Sequence, residues 1–243
     1  MTDHFHDIAS RGLVLLGCGR MGSALLEGWL SRGLPASAVT VLDPVPGTRL
    51  ETLARDGLRL NDALPDAPAA CLLAVKPQTM EAALPAVAPL AGGATLFLSI
   101  AAGTTLARLE SVLGAGTPIV RAMPNTPAAI GRGITALVGN EAAEEDHLAM
   151  AEALLAAVGE TVRLDSEAEM DAVTAVSGSG PAYVFLLIET LARAGEAEGL
   201  APELALRLAR ATVAGAGALA AESGTDPAIL RENVTSPGGT TAA

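Results

Sequence analysis

Aromatic residues are scarce in this sequence: three Phe, one Trp and one Tyr among 243 residues. No core can be built around stacked rings, so Leu, Val, Ile and Ala must fill it. Half of the residues are hydrophobic, which excludes a disordered chain. Alanine-rich stretches favour helix and allow close helix packing. Cysteine is nearly absent. Cys18 sits in a glycine-rich turn and Cys71 opens an apolar run. Neither placement suggests a disulfide framework or a metal site, and a reducing, cytoplasmic location is the expectation. The three histidines offer little more. His4 and His6 read as part of a tail before the fold, and His147 falls in an acidic helix; none is expected to bind metal or catalyse.

Positive charge is also short. The net charge is −12, and no cluster of Lys and Arg exists that could follow a phosphate backbone. Arg193, Arg207 and Arg210 read as solvated charges on helix faces. No nucleic-acid partner is expected. The N-terminus is polar and lacks the apolar segment of a secretion signal. Residues 82–107 carry no charge over a length that would cross a bilayer. Pro85, Pro89, Gly92, Gly93 and Gly103 interrupt them, so they read as helix end, turn, buried strand and loop. No membrane partner is expected.

What is present is an alternation. Apolar runs at Leu13–Leu16, Val39–Leu42, 70–75, 95–100, Ile119–Met123 and 134–138 read as strands. Helical spacing falls at 21–31, 50–55, 78–84 and 104–113 between them. Strands this apolar are buried on both faces, as in a parallel sheet covered by helices. The expected fold is α/β: a doubly wound Rossmann-type domain over 1–164, then an all-helical domain over 165–243. Helices are expected at 167–198, broken at Ser177-Gly178-Ser179-Gly180-Pro181, at Pro202–Glu222 and at 226–233. Helices so rich in small and apolar residues call for a second copy. A homodimer is the simplest closed solution.

Gly17-Cys18-Gly19-Arg20-Met21-Gly22 follows the first strand and opens the first long helix. This is G-x-G-x-x-G in the context that a dinucleotide needs. The first glycine allows the tight turn, the second lets backbone approach a pyrophosphate, and the third permits close packing of helix on strand. Asp43 ends the second strand, where an acid would bond the adenine ribose 2′-hydroxyl and favour NAD. Arg49, a few residues on, would instead pair with the 2′-phosphate of NADP. The choice between NADP and NAD stays open. Val75, Lys76 and Pro77 end the third run, Ala101 and Ala102 follow the fourth, and Asn125 follows the fifth. Ligands of open α/β sheets bind outside the carboxyl ends of strands. Lys76 is a cation suited to a phosphate, ribose or substrate group. The two alanines leave room for a flat nicotinamide. Asn125 donates and accepts, as a carboxamide-orienting side chain does. Near the end, Ser236, Gly238, Gly239, Thr240 and Thr241 read as a nest of N–H and hydroxyl donors for a carboxylate.

Residues 17–22, 75–78, 99–103, 121–127, 175–183 and 234–241, in this order, resemble the pyrroline-5-carboxylate reductases. The most specific are Arg121-Ala-Met-Pro-Asn-Thr-Pro127, Val176-Ser-Gly-Ser-Gly-Pro-Ala-Tyr183 and Ser236-Pro-Gly-Gly-Thr-Thr241. The resemblance runs from Gly12 onward. It implies an N-terminal Rossmann domain, a helical dimerisation domain, NADPH or NADH as hydride donor, 1-pyrroline-5-carboxylate as substrate and proline as product. It implies a homodimer or a larger homo-oligomer built from dimers. Ser236, Gly238, Gly239, Thr240 and Thr241 become substrate contacts, with Thr241 nearest the ring nitrogen; Lys76, the cation beside the cofactor, is the second catalytic candidate. A protonated imine is already electrophilic, so positioning is the main task. This suits a sequence with no catalytic His, no Cys–His pair and no carboxylate dyad. Family members continue into a further helical region, whereas this chain stops at Ala243, so a shortened C-terminus is expected. The alternatives are a nicotinamide-binding protein impaired by that loss and another small-substrate dehydrogenase of the same architecture.

Overall fold

The computed structural model describes residues 3–235. Short runs of apolar residues, buried on both faces, become the central strands, and two strands without such runs flank them. The strands are β1 (Leu13–Leu16), β2 (Val39–Leu42), β3 (Arg59–Leu60), β4 (Ala70–Leu73), β5 (Leu96–Ser99), β6 (Ile119–Met123), β7 (Gly133–Gly139) and β8 (Gly159–Arg163). They form one sheet in the order β3-β2-β1-β4-β5-β6-β7-β8. Every neighbouring pair is parallel except β6 and β7. The helices of this part are α1 (Asp3–Arg11), α2 (Arg20–Ser31), α3 (Thr48–Arg55), α4 (Pro77–Ala83), α5 (Leu106–Leu113), α6 (Glu145–Leu155) and α7 (Met170–Val173).

Strand alternation divides the core into two layers. Leu13, Leu15, Leu72 and Leu98 point to one face, among Trp29, Leu53 and Leu154. Val14, Leu16, Cys71, Leu73 and Phe97 point to the other, among Met80, Leu84 and Leu109. Trp29 is fully buried, and its indole N–H donates to the Leu154 carbonyl at 2.8 Å. The chain's one Trp is thus both packed and satisfied.

Three features depart from the sequence expectation. His4 and His6 do not lie in a tail before the fold: they belong to α1, which buries Phe5 and Ile8. These two lie three residues apart, one turn of a helix. Arg11 then ties α1 down by donating to the carbonyls of Ala67 and Pro68 at 3.3 Å and of Ala94 at 3.1 Å. The sheet is not wholly parallel either. A single short turn, Thr126–Ile130, joins β6 to β7, too short for a crossover helix, so β7 returns antiparallel. Finally, β3 and β8 were not anticipated. β3 has two residues, and β8 is an edge strand with Glu160 and Arg163 exposed, so neither has an apolar signature. Gly159 lets β8 approach β7: a β-carbon there would lie 1.9 Å from the Gly133 carbonyl oxygen.

Contacts divide the chain into two compact units between Ser179 and Gly180. The sequence expectation set the division near residue 165, just beyond the last strand. The helical segment that follows still packs in the first unit, where Met170 is buried beside Leu73 and Ile119. At Thr174–Gly178 the helix widens into a π turn, overlapping the expected break. The second unit contains α8 (Gly180–Ala197), α9 (Pro202–Glu222) and α10 (Pro227–Asn233), with Pro at the first turn of α9 and of α10. Gly195 lets α8 lie against Ala205 of α9, and Ala192, Ala205 and Ala209 are buried there. Phe185, Leu186, Leu187, Leu204, Leu208 and Leu219 remain exposed. Ser236, Gly238, Gly239, Thr240 and Thr241 lie outside the described residues.

Candidate functional site

The register of the sheet gathers the candidates on one edge. Leu16 pairs with Leu42 on one side and Leu73 on the other. Leu73 pairs with Ser99, and Ser99 with Arg121. The candidates lie just beyond the carboxyl ends of these strands, whose axes run about 4.8 Å apart. They are Gly17, Asp43, Val75, Ala101 and Asn125. The order reverses at β1 and β4, and a crevice opens at such a switch point.

The glycines of the loop divide the work. Gly17 has φ +83°, and a β-carbon on it would meet Val75 Cγ1 at 2.7 Å and the Val75 backbone nitrogen at 3.1 Å. Its N–H donates to the Leu42 carbonyl at 2.8 Å. Gly22 lies under it: a β-carbon there would stand 2.7 Å from the Gly17 carbonyl oxygen. Gly19 differs. Its backbone angles, φ −70° and ψ −162°, suit any residue, and a β-carbon on it would meet nothing within 4 Å. Gly19 is the N-cap of α2 and supplies no side-chain bond to the first helical N–H groups. Arg20 is exposed, and Met21 packs partly against the core.

Cys18 is half-buried. Burial pushes its thiol above the ordinary range, a hydrogen bond with Ser23 partly offsets that, and the Asp43 and Glu27 carboxylates push it up further. A nucleophilic role has no support there. Cys71 is fully buried, and its thiol too is raised by burial.

Asp43 grips this loop. Its Oδ2 accepts the Cys18 N–H at 2.8 Å and its Oδ1 accepts the Val45 N–H at 2.9 Å. Asn61 brackets it, accepting the Asp43 N–H at 2.9 Å and donating to the Asp43 carbonyl at 2.8 Å. Asn61 does this from the left-handed region, φ 52°, which Asn tolerates better than most residues. The carboxylate expected to reach a ribose is therefore bonded to backbone. Arg49 is bound too: Nε and Nη2 donate to the two carboxylate oxygens of Glu27 on α2, at 2.5 and 2.9 Å. Sequence reasoning did not find Glu27 or Asn61, because neither carries a motif.

Lys76 stands at the N-cap of α4 with its side chain exposed, and Pro77 occupies the first turn. It makes no ion pair among the described residues. It is also the one lysine in the chain, every other basic side chain of the Lys–Arg class being Arg. Ala101 is buried in the layer beneath α5, while Ala102 faces outward. Asn125 is half-buried, and its Oδ1 accepts the Ile134 N–H at 3.0 Å, so the amide chiefly presents its NH₂.

Beneath this edge lies a buried ion pair. Arg121, 6% exposed, donates to Glu167 Oε1 at 2.6 Å, and the same oxygen accepts the Leu106 N–H at 2.9 Å. One carboxylate thus joins β6, the start of α5 and the segment leading to α7. Among the described residues no group of three or more His, Cys, Asp and Glu is placed to hold a metal ion.

The edge fits a dinucleotide. Open space lies at Gly19, the helix behind it has uncapped N–H groups and a positive dipole end, and Lys76 stands on the same edge with no ion pair among the described residues. Comparison with known proteins agrees with this geometry. Residues 167–243 match the family model described as pyrroline-5-carboxylate reductase dimerisation, and residues 12–103 match NADP oxidoreductase coenzyme F420-dependent. The first match covers both helical stretches that would cross a bilayer by length and composition alone, Glu167–Ala197 and Pro202–Glu222. The pyrroline-5-carboxylate reductase of Pseudomonas aeruginosa is 43% identical over 235 residues, covering 95% of this chain and 86% of that protein. That of Synechocystis is 42% identical over 240 residues, with 95% and 87% covered. Among solved structures, the Coxiella burnetii pyrroline-5-carboxylate reductase aligns with a TM-score of 0.86 at 33% identity, covering 96% of this chain and 87% of that one. The Plasmodium falciparum pyrroline carboxylate reductase, solved with NADP bound, gives 0.82 at 30%, covering 95% and 86%. By fold, by edge geometry and by these matches, the chain belongs to the pyrroline-5-carboxylate reductase family.

Proposed function

We propose that this chain binds NADPH or NADH along the Gly17–Asn125 edge and reduces 1-pyrroline-5-carboxylate to proline. Gly19 carries the reading: neither its backbone angles nor its neighbours require a glycine, and a pyrophosphate lying on it would. The N–H groups of Arg20, Met21 and Gly22 face that position at the start of α2. Gly17 and Val75 close the turn, Pro77 starts α4 in the right place, and Lys76 offers its ammonium to a phosphate, ribose or substrate carboxylate. Backbone at Ala101 and Ala102 leaves a shallow surface, and the Asn125 NH₂ is a donor for a carboxamide or ring substituent.

A reduced nicotinamide, when bound, supplies the hydride that with one proton saturates the C=N bond. The protein's part is to exclude water and hold the imine carbon in reach. Ser236, Gly238, Gly239, Thr240 and Thr241 hold the substrate carboxylate in this reading, with the Thr241 hydroxyl nearest the ring nitrogen. The test is oxidation of NADPH and of NADH by the purified chain with 1-pyrroline-5-carboxylate, followed by absorbance. Turnover is expected with at least one cofactor. Thr241→Ala is expected to lower kcat by about tenfold to a hundredfold while leaving cofactor Kd within twofold, as for loss of one positioned hydroxyl. A folded chain that binds neither cofactor would sink the reading.

The match to a dimerisation region supports homo-oligomerisation, and a cytoplasmic homodimer is the form we propose. The exposed Phe185, Leu187, Leu204 and Leu208 are the surface that it buries. Phe185→Glu should halve the mass measured by light scattering without unfolding α8. An unchanged mass would place the interface elsewhere.

A further inference from the structure

NADPH and NADH differ at the ribose 2′ position, and the end of β2 and the start of α3 hold the charged groups that could read that difference. Asp43, at the end of β2, has both carboxylate oxygens bonded to backbone N–H groups, at Cys18 and at Val45. The residue type that discriminates for NAD is thus engaged in bracing the loop. Arg49 lies in the first turn of α3, directly beyond the loop that Asp43 begins. Its guanidinium is held in a two-pronged grip by Glu27, yet 62% of the Arg49 side chain and 44% of the Glu27 side chain face solvent. An exposed pair of this kind contributes little to stability and reorganises readily. Glu27 is itself close to the glycine loop, since its charge, like that of Asp43, bears on the Cys18 thiol.

We infer that the Glu27–Arg49 pair, rather than Asp43, sets the choice between NADPH and NADH. Arg49 is the group that meets a 2′-phosphate. Glu27 is its resident anion and competes with that phosphate for the same guanidinium donors. With Glu27 in place, the benefit of a 2′-phosphate is reduced by the pair that must be broken. The reduced cofactor without that phosphate leaves the pair intact. The inference rests on the dinucleotide reading of this edge.

The experiment is calorimetric titration of NADPH and of NADH into the wild-type chain and into Glu27→Gln, Arg49→Leu and the double variant, with no substrate present. Arg49→Leu should weaken NADPH by about tenfold to a hundredfold, the range for a lost bond to a charged group, and change NADH by less than threefold. Glu27→Gln should move the opposite way, tightening NADPH by about threefold to tenfold with NADH unchanged. The double variant should match Arg49→Leu alone, because Glu27 acts only through Arg49. A merely structural role for the pair would move both cofactors together and in one direction. Equal weakening of both by Arg49→Leu, or no opposite shift in Glu27→Gln, overturns this inference and leaves the dinucleotide reading standing. Wild-type protein that binds neither cofactor overturns that reading, and this inference with it.

Discussion

Gly19→Ala is expected to leave a folded protein that has lost dinucleotide affinity by about a hundredfold or more, as for several charge-assisted N–H bonds lost together. The reason lies in the contrast with Gly17. At Gly19 the backbone sits in an ordinary extended region and the space beyond the α-carbon holds no protein atom within 4 Å. A methyl group there strains nothing in the free protein. Its cost to stability is confined to the weaker N-cap that Ala makes, about 1 kcal/mol. With a dinucleotide present, that methyl stands where the pyrophosphate must approach the N–H groups of α2. At Gly17 the same change acts on the fold itself, since φ is +83° and the Val75 backbone lies 3.1 Å from the new atom. Gly17→Ala should therefore lower stability by about 1–3 kcal/mol before any ligand is added. Thermal melts and NADPH titrations on the two variants separate these effects. A Gly19→Ala protein that binds NADPH like the parent would mean that no phosphate lies on the loop.

The second large effect is expected below the site. Glu167→Ala removes the only side-chain carboxylate seen bonded to the buried Arg121 among the described residues. An uncompensated charge inside a protein costs about 3–5 kcal/mol. Glu167 is partly exposed, with 28% of its side chain facing solvent, so the lower end of about 3 kcal/mol is the expectation. The Leu106 N–H loses its acceptor at the same time. Urea denaturation should show the midpoint falling with an unchanged slope, as for a two-state loss of native stability. Replacing both partners, Arg121→Met with Glu167→Leu, should recover most of the loss, because the desolvated charge has gone as well. A drop below about 1 kcal/mol in Glu167→Ala would mean that water reaches Arg121 and does the work of the carboxylate.

Much of the first unit could be read from its strands. Leu13–Leu16, Val39–Leu42 and Ile119–Met123 lie where the apolar runs placed them, because a strand buried on both faces has little freedom to be polar. The glycine loop was legible for a related reason: only glycine serves at Gly17 and Gly22, and the sequence must say so. What could not be read were pairings between distant residues. Nothing in the sequence ties Glu27 to Arg49, or Glu167 to Arg121, since an ion pair between elements has no periodicity. Asp43 illustrates the difficulty. Its position at the end of β2 points to a ribose contact, and nothing in the sequence shows that its two oxygens also accept the Cys18 and Val45 N–H groups. The edge strand β8 and the two-residue β3 were hidden because one face of each meets solvent or the strand is too short for a pattern. The substrate segment from Ser236 to Thr241 was recognised by resemblance and lies beyond the residues described.

Lys76 has a consequence for the chain's covalent chemistry. Because every other basic side chain of its class is a guanidinium, the protein carries a single ε-amine, and it projects from the N-cap of α4 at the carboxyl edge of the sheet. Among the side chains of this sequence, reductive alkylation or an enzyme that modifies lysine finds one ε-amine, that of Lys76. Side-chain stoichiometry then becomes a direct count of how many sites stand open, and occupancy of the edge by a ligand registers as protection of one nitrogen.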